Sequence, residues 1–189
     1  MKTIIFFLIT ISVAFAIDHP SDGFLGVPFG SSPEAVETAL TEKGITSIEK
    51  WGSGEGALSY YFKCQYQLGD LDCSLTFCFD YQMLYYFQFE TKPRGKEEIF
   101  DVDMNYKMLA LIMAEKYGSA TYLWDFSQDD IKNNSTTTGW LWRFENYTIK
   151  TGTSASEGYY AYATVTSDSV YWLNRENPEE TRKKAADDF

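Results

Sequence analysis

Between Tyr60 and Phe79 the chain alternates apolar and polar residues on both sides of a Gly69-Asp70 pair. Tyr60, Phe62, Cys64, Tyr66 and Leu68 alternate with Lys63, Gln65 and Gln67, and beyond the pair Leu71, Cys73, Leu75, Phe77 and Phe79 resume the period. A period of two places each set on one side of a strand, and a short Gly-containing link closes a hairpin. Such a hairpin has one apolar face to bury, so it requires neighbouring strands and a covering layer.

The same parity sorts the three cysteines. Cys64 and Cys73 point to one side of the hairpin, opposite or diagonal according to register, and Cys78 points to the other. Two readings follow: a Cys64–Cys73 disulfide with Cys78 free, or three reduced and buried thiols.

Around the hairpin the elements follow a repeated order. Residues 24–30 (FLGVPFG) read as a short extended segment. SSPEAVETALTEKG then reads as a helix, capped by Ser32, begun by Pro33 and stopped by Gly44, with Val36, Ala39 and Leu40 as its apolar stripe. Strands are predicted near 45–51, 57–67, 71–79 and 83–91, with a polar corner at Asp80-Tyr81-Gln82. A second helix spans roughly 96–117, with Ile99, Val102, Met104, Tyr106, Leu109, Ile112 and Met113 on its apolar face and Gly118 at its end. Strands recur near 120–126, 138–144, 146–152 and 158–166, interrupted by a polar loop, SQDDIKNNSTTTG. The pattern is α+β: two tandem halves, 17–92 and 93–174, each a helix followed by four antiparallel strands. Residues 175–189 form a polar C-terminal tail.

The first sixteen residues, MKTIIFFLITISVAFA, combine Lys2, an apolar run and an A-x-A site. This is the layout of a cleavable signal peptide over residues 1–16, and the run is too short to span a bilayer. No Cys follows the cleavage site to carry a lipid anchor. The expected location is secreted or periplasmic. Removal of Lys2 from the 16 basic residues leaves 15 against 27 acidic ones, a net charge of −12. That balance repels phosphate backbones and anionic headgroups, so nucleic acid and membrane are set aside as partners in favour of another protein.

In FLGVPFGSSPEAVETALTEKG, residues Phe24, Gly26, Val27, Phe29, Gly30, Ser31, Glu34 and Val36 resemble a motif of small exported bacterial proteins. LIMAEKYG (111–118) resembles the L-x-x-K-Y-G helix end of the same proteins. The likeness is to the β-lactamase inhibitor protein and the small outer-membrane assembly lipoproteins. It implies a helix-plus-sheet fold, a role in binding other proteins, and binding aromatics on an open sheet face.

Residue types suited to catalysis are sparse. His19 is the sole histidine and lies near the start of the mature chain, where residues are usually mobile. One such His and three strand cysteines do not make a zinc set. Asp101-Val-Asp103-Met-Asn105 begins like a calcium loop, but Tyr106 and Ile112 stand where Gly and Glu are needed. Gly152-Thr-Ser154-Ala-Ser156 lacks the final Gly of a nucleophile elbow. GSGEG at 52–56 lacks the Lys of a phosphate loop. Asn133, Asn134 and Asn146 open formal glycosylation sequons, relevant only in a eukaryotic host. No catalytic residue, metal or cofactor is assigned.

Aromatic residues remain as candidates for binding, at 17% of the chain. Trp140, Trp142 and Phe144 share one side of a strand. Tyr160 and Tyr162 share a side with Thr164 and Thr166, opposite Ala161, Ala163 and Val165, whose small side chains suit close packing under a helix. An exposed ladder of this kind holds protein or sugar through flat apolar contact. The competing reading puts Trp140 and Trp142 in the core. Three functions follow in order: a non-catalytic protein-binding module, a carbohydrate or small-ligand binder, and a hydrolase whose carboxylate pair the sequence does not single out.

Overall fold

A computed structural model describes residues 23–52 and 59–171. The expected signal peptide and polar tail both lie outside them, as does His19.

Eight strands form one antiparallel sheet. The first helix, α1 (Pro33–Glu42), starts at Ser32, whose hydroxyl accepts a bond from the Ala35 N–H, and it buries Val36 and Leu40. Strands β1 (Glu49–Trp51), β2 (Ser59–Leu68), β3 (Leu71–Asp80) and β4 (Met83–Thr91) follow as a meander. A single 3-10 turn (Lys96–Glu98) leads into α2 (Ile99–Tyr117). The chain then runs through β5 (Tyr122–Leu123), α3 (Gln128–Asn133), β6 (Thr136–Arg143), β7 (Tyr147–Ser154) and β8 (Tyr160–Ser167). Across the sheet the order is β1-β2-β3-β4-β8-β7-β6-β5, so the last strand of each set meets the other at the centre.

The α+β class and the antiparallel pairing follow the sequence pattern. The tandem description needs amendment in the second set. There α3 stands between the first two strands, in the stretch read as a polar loop, and β5 is only two residues long. Ser127 caps α3 by accepting from the Asp130 N–H, while the Asp130 carboxylate accepts from the Ser127 N–H, a reciprocal capping box. Ile131 is its one buried residue, packed on Ile99 and Val102 of α2.

Register makes one face the core. A row runs from Phe62 through Phe77, Phe87, Val165 and Ile149 to Trp142, each directly opposite the next. All six side chains are buried, and burial of each stabilises the fold by roughly 1.5–3 kcal/mol. Helix α2 lies over β8 and β7, where Ala161 and Ala163 leave room for its backbone to come close. The 24–30 segment fills the remaining cover. It turns tightly, Phe24 and Val27 exchanging backbone bonds, and the Phe24 ring centroid lies 5.2–5.3 Å from those of Tyr66, Phe87 and Phe89.

The β2–β3 hairpin pairs Leu68 with Leu71 across Gly69-Asp70, and Gly69 takes the positive φ that such a link needs. This register sets Cys64 against Leu75 and Cys73 against Tyr66. The two cysteines share a face but stand diagonally, a placement that sets Cα atoms about 7–8 Å apart, beyond the roughly 4.4–6.8 Å that a disulfide spans. The disulfide candidate is therefore not formed, and Cys64, Cys73 and Cys78 are all free and buried.

Candidate binding face

Helices α1 and α2 and the 24–30 segment occupy one side of the sheet, and among the described residues the other side carries only a helical turn at 168–171, whose Tyr171 ring lies 5.9 Å from that of Tyr85. Its side chains come from the polar set of each strand. One row crosses all the long strands: Lys63, Thr76, Gln88, Thr164, Lys150 and Leu141, ending at Tyr122 on the edge strand. A parallel row links Trp51, Tyr61, Cys78, Tyr86 and Thr166. This face is thus a polar floor with aromatic rings set into it.

The rings gather in pairs. Trp51 stacks on Tyr61 with centroids 6.1 Å apart and planes 15° from parallel, and Trp51 remains 44% exposed. Tyr85 and Tyr86 stack at 6.0 Å, a contact made by the β-bulge that turns consecutive residues of β4 to the same side. Together with Tyr160 they line a groove of about 480 Å³. On its floor Lys63 Nζ lies 3.7 Å from a Glu90 carboxylate oxygen, and the Gln88 amide donates to the same carboxylate. Cys78 sits beneath, its thiol pushed up to about 12 by burial and then by the Glu90 charge. Burial also raises the Tyr85 hydroxyl to about 12 and Tyr86 further still. These groups stay protonated at neutral pH, so the groove offers neutral hydroxyls around the Lys63–Glu90 pair, with the Glu157 carboxylate also in its lining.

At the other end Tyr122 and Trp124 stack at 5.6 Å with Leu123 between them, all three exposed. Trp124 lines a second groove of about 580 Å³, together with Asp125, Leu141, Arg143 and Lys150.

The four sequence candidates fall on different sides. Tyr160 lies on the groove wall, its hydroxyl 3.3 Å from that of Ser156. Tyr162 points the same way but is only 8% exposed, with its hydroxyl 3.3 Å from Thr138. Gly152 is what admits it, since a Cβ there would come within 2.8 Å of the Tyr162 hydroxyl and 1.9 Å of the Thr137 carbonyl. Trp142 belongs to the opposite face. It is 1% exposed and its indole N–H donates to the Gly118 carbonyl at 2.7 Å, which makes it a core residue and removes it from the binding set. Trp140 is half-buried against Trp142 and packs on the same core. The reason is a bulge in β6 between Thr138 and Leu141, which shifts parity along the strand.

Trp51, Tyr61, Tyr85 and Tyr86 are the face residues that strand reading did not select. Their signal was available in part: Tyr61 and Tyr86 occupy polar-set positions, where an aromatic is out of place in a merely solvated strand. Among the described residues no group of three or more His, Cys, Asp or Glu gathers to hold a metal ion, and no helix is long and apolar enough to cross a membrane. No protein family, curated protein or solved structure matches this chain.

Proposed function

We propose that this chain is an exported, non-catalytic binding module that takes another protein across the uncovered face of its sheet. The observation that supports this reading most is the pairing of ring stacks, Trp51–Tyr61 and Tyr85–Tyr86, around the groove on that face. Tyrosine and tryptophan supply large contact areas at small entropic cost, and they dominate protein recognition hot spots. The floor fits this role. The Lys63–Glu90 pair balances its own charge, so a partner need not bury a compensating ion to dock. The resemblance to inhibitor-type proteins points to the same face, and the signal peptide reading places the encounter outside the cytoplasm.

A glycan or other small neutral ligand is the second reading. The groove favours it through aromatic walls beside Gln88, Ser74 and Thr76, a combination suited to stacking and to hydroxyl recognition.

The test is affinity capture from secreted and envelope extracts of the host. Wild-type chain is compared with a Trp51→Ala/Tyr160→Ala variant whose melting temperature is unchanged. A saturable protein partner lost in the variant supports the proposal. A partner retained in full by the variant excludes this face. Binding of oligosaccharide arrays, with no protein captured, selects the second reading.

A further inference from the structure

The second groove of the uncovered face holds charges that the fold leaves unpaired. Arg143 of β6 stands opposite Thr148, and Lys150 of β7 stands opposite Leu141, so the two cations are diagonal neighbours on that face. Both are exposed and both line the groove, and neither makes an ion pair among the described residues. The Asp168 carboxylate accepts instead from the Thr148 hydroxyl, at 2.7 Å. Asp125 also lines the groove, exposed and without an ion pair. The other carboxylate of the lining, Asp130, is taken up by the Ser127 N–H and hydroxyl of the capping box.

Backbone pairing sets these charges at opposite ends. The Trp124 N–H donates to the Gly139 carbonyl at 2.9 Å, which places Asp125 beside the β6 bulge. Lys150 is level with Leu141, and Arg143 lies two residues further along β6. At about 3.3 Å per residue, the acidic end is roughly 7–13 Å from the basic end. Between them stand the buried Leu141 side chain and the Trp124 ring, 48% exposed and stacked on Tyr122.

Opposite charges held apart across an apolar floor suit a ligand with one charge of each sign at its two ends. A groove of about 580 Å³ has the size of a small-ligand site. Three extended residues span about 10 Å, so a tripeptide with free termini reaches both ends. The Arg143 guanidinium can grip a carboxylate through two parallel bonds, the Lys150 ammonium adds a further donor, and the Asp125 carboxylate can accept from a terminal ammonium. We propose that this groove binds a short peptide by its free termini, with the carboxylate at Arg143 and Lys150, the ammonium at Asp125, and an apolar central side chain on Trp124 and Leu141. The site shares no residue with the first groove, so it stands whatever that groove takes.

Isothermal titration of the full chain with glycyl-phenylalanyl-glycine tests this, beside the same peptide N-acetylated and the same peptide C-amidated. The expected result is saturable binding of the free peptide with a dissociation constant on the order of 0.1 mM. Either block should weaken it about tenfold or more. Arg143→Gln and Lys150→Gln should each weaken the free peptide by a similar factor at unchanged melting temperature, because both side chains are exposed. Asp125→Asn should weaken the free and the amidated peptide but barely change the acetylated one. Lys92→Gln removes an exposed charge outside the groove and should leave the affinity intact. Failure of the free peptide to bind saturably overturns the proposal. So does equal binding of the blocked forms, since the termini are then not read, or a loss in Lys92→Gln equal to that in Lys150→Gln, since only net charge is then felt.

Discussion

Cys78 shows how much a single side chain reports about the two faces. It sits on the uncovered side but beneath Tyr85 and Tyr86, whereas Cys64 and Cys73 point into the core, where burial pushes their thiols up to about 11. Each is an acid whose pKa is higher folded than unfolded, as is Tyr85. The folded chain therefore keeps protons that the unfolded chain releases above pH 9, and the stabilisation, whole below that value, drains as pH rises toward 11–12. Urea unfolding at pH 7, 9, 10 and 11 should show stability falling from pH 9 upward, with a shallower fall in Cys78→Ala. A thiol reagent should count three thiols in unreduced, denatured protein and almost none in the native protein at pH 8. At the β3–β4 corner, Tyr81 and Gln82 both adopt positive φ. A left-handed non-glycine residue costs about 1–2 kcal/mol, and glycine's extra unfolded-state freedom costs about 0.5–1 kcal/mol. The strain outweighs the entropy, so Gln82→Gly should raise stability by about 0.5–1 kcal/mol, read as a higher urea midpoint at constant slope. The cysteine parity was legible in the sequence because it depends only on the period of two. Their diagonal placement was not, because register across Gly69-Asp70 has to be known before two same-face residues can be called opposed.

At the scale of elements, legibility followed the number of buried residues that each element carries. Helix α2 and strands β2, β3 and β4 bury many side chains at a regular period, and their sequences show it. Helix α3 buries only Ile131, so no apolar stripe announces it inside SQDDIKNNSTTTG. Its signal was Ser127 followed three residues later by Asp130. That carboxylate is held below its usual range by bonds from the Ser127 backbone and hydroxyl. Removing the cap should matter: Ser127→Ala is expected to cost about 1 kcal/mol, and hydrogen exchange should show α3 opening before α2 does. The bulge in β6 was equally hidden, because one extra residue leaves the composition unchanged while it exchanges the faces. Consequently Trp142 is a core residue, and Trp142→Ala should cost about 3–5 kcal/mol by thermal or urea unfolding, far more than a surface tryptophan would.

For the whole molecule, the decisive contact is the pairing of β4 with β8, with Tyr86 opposite Thr166 and Phe87 opposite Val165. That register joins the two sets of strands into one sheet, and no local pattern encodes it, since the partners lie some eighty residues apart in sequence. Once it is made, α1 and α2 fall on one side, and the Trp51–Tyr61 and Tyr85–Tyr86 pairs on the other. The proposed function follows from that division. The most direct test is an oxidative footprint of tyrosine and tryptophan side chains, recorded on the free chain and on the chain with its captured partner. The account predicts that Trp51, Tyr61 and Tyr160 are modified in the free chain and protected in the complex, with Trp142 protected in both. A complex in which Trp51 and Tyr160 remain as reactive as in the free chain, while protection appears elsewhere, would contradict it.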